Sequence, residues 1–164
     1  MRPQDALDCL IRPGLRLMGE PFDRDEAAFL LLVIGFYESG FRARYQVDGP
    51  ARGFWQFEQI GLLQALKPYD VRRVLRQLIL PEQPERLWPI LPALDLGAVV
   101  LARGLLWSHP EPLPSIHASS QDLHRYYRET WRPGKAPVGR FDYAVTIARA
   151  VVEYETERTG LADI

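Results

Sequence analysis

Nine consecutive residues, 29–37 (Phe-Leu-Leu-Leu-Val-Ile-Gly-Phe-Tyr), carry almost no polar group. Taken at the helical period together with Ala27 and Ala28, the run is apolar nearly all round, as in a helix enclosed by other elements. The rest of the chain must therefore supply walls on every side of it. With 164 residues, 47% of them hydrophobic, there is material for one substantial core and too little for two ordinary domains, so 1–164 reads as one domain.

Those walls read as helices. Residues 3–18 carry helically spaced Ala6, Leu7, Leu10, Ile11, Leu15 and Leu17, interrupted by Pro13-Gly14, which predicts one broken or two short helices. Asp23 and Glu26 have capping-box spacing, with Asp in place of Ser or Thr, and open the apolar helix; Gly40 supplies a left-handed stop. Over 41–48, Phe41, Ala43, Tyr45 and Val47 alternate with Arg42, Arg44, Gln46 and Asp48, and Asp48-Gly49 signals a turn, as in a small hairpin or extended flap. Further helices are expected at 58–66 and 70–80, then a proline-rich connection over 81–92. Asp95 caps a helix over 96–107, and a second proline-rich loop spans 110–114. Ser119 or Ser120 caps a helix through Trp131 that Pro133-Gly134 breaks, and a last helix runs over 141–158 and stops at Gly160. The fold class is mainly α, a helical domain with a small β-hairpin or extended flap.

Charge excludes some partners. Twenty basic against twenty-one acidic side chains leave a formal charge of −1, so no global field favours nucleic acid or an anionic membrane. Arg42, Arg44 and Arg52, and Arg72, Arg73 and Arg76, read as solvated faces; a helical nucleic-acid binder using the second cluster is the weakest of the rival readings. A single cysteine, Cys9, rules out an internal disulfide and a thiolate zinc cluster, and reads as a small buried residue of the first helix. His109, His117 and His124 lack i, i+4 pairing, so no metal or other cofactor is expected. The first residues lack the apolar core of a secretory signal and no segment approaches a membrane span, so a soluble protein made without a signal peptide is expected.

Glu38 ends the apolar run and opens Glu38-Ser39-Gly40-Phe41. A carboxylate where a buried helix meets a cleft loses solvation and faces the negative end of the helix dipole, and both effects favour its protonated form. Such a group donates a proton near neutral pH. The bland reading is a structural acid, salt-bridged to Arg42 or Arg44. Eighteen positions on comes Gln56, in Gly53-Phe54-Trp55-Gln56-Phe57; its planar amide suits a sugar hydroxyl or N-acetyl group, or else the backbone of its own loop.

With these residues in place, 29–59 resembles the core of the lytic transglycosylases, in the lysozyme-like superfamily. In that family a helix ends in Glu-Ser, and a Gly-Leu-Met-Gln motif, closely preceded by Gly-Ala, follows at the same eighteen-residue interval. Here Glu38-Ser39 matches the first element, Pro50-Ala51 stands for Gly-Ala, and Gly53-Phe54-Trp55-Gln56 stands for the second. The family's third motif, Ala-Tyr-Asn-Ala-Gly, is absent, and Tyr126-Tyr127 with Trp131-Arg132-Pro133-Gly134 occupies about its place. Phe141-Asp142-Tyr143-Ala144-Val145 resembles the final motif, with Tyr143 as its aromatic residue.

The resemblance implies an α+β lysozyme-like fold and cleavage of the β-1,4 bond between N-acetylmuramic acid and N-acetylglucosamine in peptidoglycan glycan strands. Glu38 would act first as acid, then as base toward the muramic C6 hydroxyl, giving 1,6-anhydro ends. It further implies that Ser39 orients the carboxyl or caps the helix, that Gln56 reads the substrate, and that Tyr143 hydrogen-bonds Glu38. Trp55, Phe54, Tyr45 and Trp131 are candidate platforms for sugar rings, each otherwise a core residue, and Tyr127 joins them as a substrate-binding or orienting residue. Most glycosidases use two acids, which makes a water-using muramidase the rival, with Asp48 as its second acid, although Asp48 also reads simply as the turn-former; Glu58 is a further candidate. A non-catalytic saccharide-binding or virion structural protein on the same scaffold is the other rival. The absent export signal and small size fit a monomeric phage-encoded lysin or virion component acting on the cell wall, or an exported periplasmic enzyme.

Overall fold

The computed structural model describes residues 1–132 and 137–162. At its centre lies α3, Asp25–Ser39, in which every residue from Ala27 to Gly35 is buried. Around and after it run α1 (Pro3–Ala6), a π-helical turn (Leu7–Ile11), α2 (Arg12–Met18), α4 (Gln59–Ala65), α5 (Tyr69–Gln77), α6 (Pro84–Ile90), a 3-10 turn (Leu91–Ala93), α7 (Asp95–Trp107), α8 (Ser120–Trp131) and α9 (Val138–Ala162). The protein is mainly helical, as its apolar periodicities predict.

Two helices carry the core. α3 packs against α9 and α7, while α7, buried from Gly97 to Leu106, also receives α2, α4 and α5. Buried side chains from Ala6 to Val152 form one continuous cluster, so α3 is enclosed as its composition requires. No helix among the described residues is long and apolar enough to cross a membrane.

Several local expectations differ. Pro13 does not break the first helix: the Arg12 N–H bonds Leu7 O in the wider π turn, and the chain continues helical through the residue that lacks an N–H. Cys9 lies on the solvent side of that turn and is exposed, not buried. Asp23 does not cap α3, because its N–H stays in the preceding turn, bonded to Gly19 O at 3.1 Å; Arg24 is the N-cap, with Asp25 and Glu26 in the first turn, where acids complement the helix dipole. Asp95 is the first residue of α7, and its carboxylate is bound by Arg44 instead of closing a cap. The proline-rich stretch after α5 holds a helix: Pro84 sits at the first position, where no N–H is needed, and buried Leu87 and Leu91 anchor it. Ser119 caps α8 as expected, accepting from the Asp122 N–H at 3.1 Å. The Pro133-Gly134 break lies outside the described residues, and α9 begins at Val138 and continues past Gly160.

The alternating stretch 41–48 forms no strand. Phe41 and Asp48 take positive φ (52° and 54°), and pairing is limited to isolated antiparallel bridges, Tyr45 with Arg52 and Arg52 with Phe57. Alternation fails because the two faces are not different: Phe41 is buried, but Ala43, Tyr45 and Val47 all stay exposed, so no apolar face is available to fix a register. The loop is instead pinned by side chains. Arg44 donates to Pro92 O (2.8 Å) and makes a two-pronged pair with Asp95 (2.8 Å for Nη2 to Oδ2).

Candidate active site

α3 ends because Gly40, at φ 61°, enters the left-handed region and returns its N–H to Phe36 O at 2.8 Å. Ser39, 8% exposed, locks that exit: its Oγ donates to Gly35 O (3.0 Å) and accepts from the Phe41 N–H (3.1 Å). Ser39 is thus the helix-end residue of the pair and makes no bond to the carboxyl. With the last turn fixed, Glu38 is half-buried and projects into a cleft of about 1100 Å³.

There the Tyr127 hydroxyl donates to Glu38 Oε1 at 2.6 Å. Tyr127 is itself fully buried, edge-on to Tyr37 (centroids 5.2 Å) and against Phe141 (5.3 Å), so its ring is packed in place beside Glu38. Burial raises the Glu38 carboxyl from 4.5 to about 7, against the Tyr127 hydrogen bond and the positive charge of Arg140, both of which favour the carboxylate; the charge of Glu58 adds to the rise. Burial and the adjacent Glu38 charge push the Tyr127 phenol up, so it stays protonated and remains the donor. Glu38 is accordingly divided between acid and carboxylate at neutral pH, with Oε1 occupied and Oε2 without a hydrogen-bond partner among the described residues.

Not all the expected residues meet there. Gln56 lines the cleft at φ 47°, its Nε2 bonded to Gly53 O (2.8 Å), so half its amide serves its own loop. Tyr45 lines the same cleft and is 59% exposed, with the Arg52 guanidinium over its ring. Trp55 and Phe54 are core residues, not platforms: Trp55 is fully buried and donates from Nε1 to Leu31 O (3.0 Å), and Phe54 is covered by Phe41 and by Arg44. Trp131 lines the cleft while its Nε1 holds Trp55 O at 3.0 Å. Asp48 is an exposed turn residue and is not among the residues that line the cleft. Neither Arg42 nor Arg44 salt-bridges Glu38.

Tyr143 does not reach Glu38. It is 60% exposed and rests on Phe36 (centroids 6.0 Å), because α9 turns Phe141, Ala144, Val145 and Ala148 inward and leaves position 143 off that stripe. Tyr127 makes the carboxyl contact that was expected of Tyr143. The inward stripe was readable at the helical period and would have excluded Tyr143.

Sequence reasoning missed the opposite wall of the cleft, which includes Arg140, His109, Glu129 and Thr130. Glu58, exposed just before α4, faces the same space. His109, the Glu129-Thr130 pair and Arg140 come from three separate segments and carry no local spacing signal. A second, more open groove of about 900 Å³ between α8 and α9 shares Glu129 with the cleft and is not lined by Glu38. Compared with known proteins, the chain matches no family model, no curated protein and no solved structure.

Proposed function

We propose that this protein is a peptidoglycan-cleaving lytic transglycosylase on a lysozyme-like helical scaffold, with 41–57 as an extended flap over the cleft and Glu38 as its catalytic residue. The observation that carries the reading is the state of Glu38: half-buried at the end of an enclosed helix, raised to about 7, and held through Oε1 by Tyr127. This leaves Oε2 to transfer a proton. In the proposed reaction Glu38 protonates the glycosidic oxygen as the bond to muramic C1 breaks. The resulting carboxylate then takes the proton of the C6 hydroxyl as that oxygen bonds C1, closing the 1,6-anhydro ring. Glu38 is regenerated as an acid and no water is consumed. Intramolecular attack draws on the large effective concentration of a held nucleophile.

The cleft supports a glycan as ligand. Tyr45 offers an exposed ring, Gln56 an amide oxygen, and the volume of about 1100 Å³ is generous for several sugar units. The place of action would be the cell wall, reached in the periplasm or delivered by a virion.

One observation favours a second reading. Glu58 lines the cleft near enough for its charge to raise Glu38, so a water-using muramidase would employ Glu58, in preference to the exposed Asp48, as its second acid. Digestion of purified sacculi followed by mass spectrometry separates the two. Anhydro-muropeptides, lighter by one water, are the expected products, and reducing muramic ends would establish the hydrolase. Wall binding without product release, unchanged by Glu38→Gln, would make the protein a non-catalytic glycan binder.

A further inference from the structure

We infer that Arg140 forms a carboxylate subsite beside Glu38, so that the preferred glycan carries a negative charge on the sugar next to the bond being cut. The inference rests on the glycan-cleaving reading of the cleft and adds to it a substrate class. Arg140 lies in the first turn of α9, is exposed, and lines the same cleft as Glu38. Its guanidinium sits 5.5 Å from the ring centroid of Tyr37, the residue preceding Glu38. An aromatic face holds the cation in place without neutralising it.

One other arginine among the described residues lines this cleft, Arg132, whose Nε donates to the Glu129 carbonyl at 3.4 Å, and the arginines around the cleft are already engaged. Arg44 is paired with Asp95, Arg125 with Glu111 and Glu129, and Arg52 donates to the carbonyls of Gly49 and Ala51. Arg140 makes no ion pair with any acid among the described residues, and the Pro-Gly-Lys-Ala segment at 133–136 contains no acid. Its guanidinium therefore lines the cleft as a cation without a paired acid among the described residues, and a guanidinium takes a carboxylate through two parallel hydrogen bonds.

The neighbouring acid makes sense of this arrangement. The titratable and charged groups acting on Glu38 are Tyr127 from α8, Arg140 from α9, Glu58 from the loop before α4 and Tyr37 from α3. Of these, Arg140 favours the carboxylate and so opposes proton donation in the empty cleft. A substrate carboxylate paired with Arg140 would offset that charge beside Glu38.

A carboxylate next to the scissile bond has two sources in such a polymer, the free lactyl group of a peptide-free muramic residue and a carboxyl of an attached peptide. Binding is measured by calorimetry in the Glu38→Gln protein, with and without Arg140→Gln. The ligands are a peptide-free muramyl tetrasaccharide, its peptide-bearing counterpart, and an uncharged N-acetylglucosamine tetramer. The expected result is that at least one muramyl ligand binds about tenfold more tightly than the tetramer, as a charge-assisted pair allows. Arg140→Gln should erase that preference while leaving tetramer affinity unchanged, and Arg140→Lys should restore part of it. The muramyl ligand that shows the preference identifies the source. Equal affinities for charged and neutral glycans, or a preference that survives Arg140→Gln, would overturn the subsite alone. Failure of all three to bind would overturn the glycan reading together with it.

Discussion

Tyr127 on α8 donates its phenolic proton to Glu38 at the end of α3, across 2.6 Å and a sequence separation of 89 residues. The bond does two things at once. It fixes the carboxyl in one orientation, and it holds Glu38 below the value that burial alone would impose. Tyr127→Phe should therefore move the basic limb of the pH–rate profile to higher pH while lowering kcat by about tenfold or more through lost orientation, with KM little changed. A limb that stays in place, with kcat intact, would show that the hydroxyl is not engaged in solution.

Glu38 should also govern the pH dependence of stability. Its folded value lies above its ordinary 4.5, so the folded state holds a proton that the unfolded chain has released. Stability then falls as pH rises from about 4.5 to about 7 and levels off above that, by on the order of 3 kcal/mol at most for a shift of this size. Glu38→Gln removes this slope. Thermal melts should show the variant close to the native protein at pH 4.5 and clearly more stable at pH 8. Equal melting temperatures at both pH values would mean that the carboxyl is well solvated.

Gly35 joins the core to the cleft. A Cβ there would lie 2.5 Å from the Phe41 ring and 3.2 Å from Trp55 Nε1, the two groups that seat the 41–57 loop on α3. Gly35→Ala should cost about 1–3 kcal/mol of stability by overpacking. Because the displaced loop carries Gln56 and one cleft wall, activity should fall further than the lost stability explains. Denaturant melts and turnover on the same preparation check both parts. A fully active Gly35→Ala protein would show that the loop has room to shift.

The enclosed helix, its glycine stop and the acid at its end were legible because each is written in adjacent residues: an apolar run, Gly40, Glu38. The contact to that acid was not. The apolar stripe of α9 already leaves Tyr143 facing solvent, but only the packing of α8 against the end of α3 brings Tyr127 to Glu38, and no adjacent residue records that contact. The 41–48 alternation misled because strand signals assume one buried face, whereas here Tyr45 and Val47 both stay exposed. Arg140 was hidden for a related reason: an exposed arginine in a first helical turn has no distinguishing neighbours until the fold sets it beside Tyr37.

Glu58 offers the sharpest division between one-acid and two-acid chemistry. It lines the cleft with Glu38 and its negative charge raises that group, so it is close enough to matter electrically. If Glu38 works alone, Glu58→Gln removes only a like charge. The Glu38 value should drop, the basic limb of the pH–rate profile should move to lower pH, and the products should remain anhydro-muropeptides at a turnover within about tenfold of the native rate, since no step depends on it. If Glu58 positions a water, the same substitution should abolish turnover and the native products should end in reducing sugars. The product analysis comes from one digest of sacculi, and because Glu58 is exposed its replacement should leave the fold intact, which a melt at neutral pH checks.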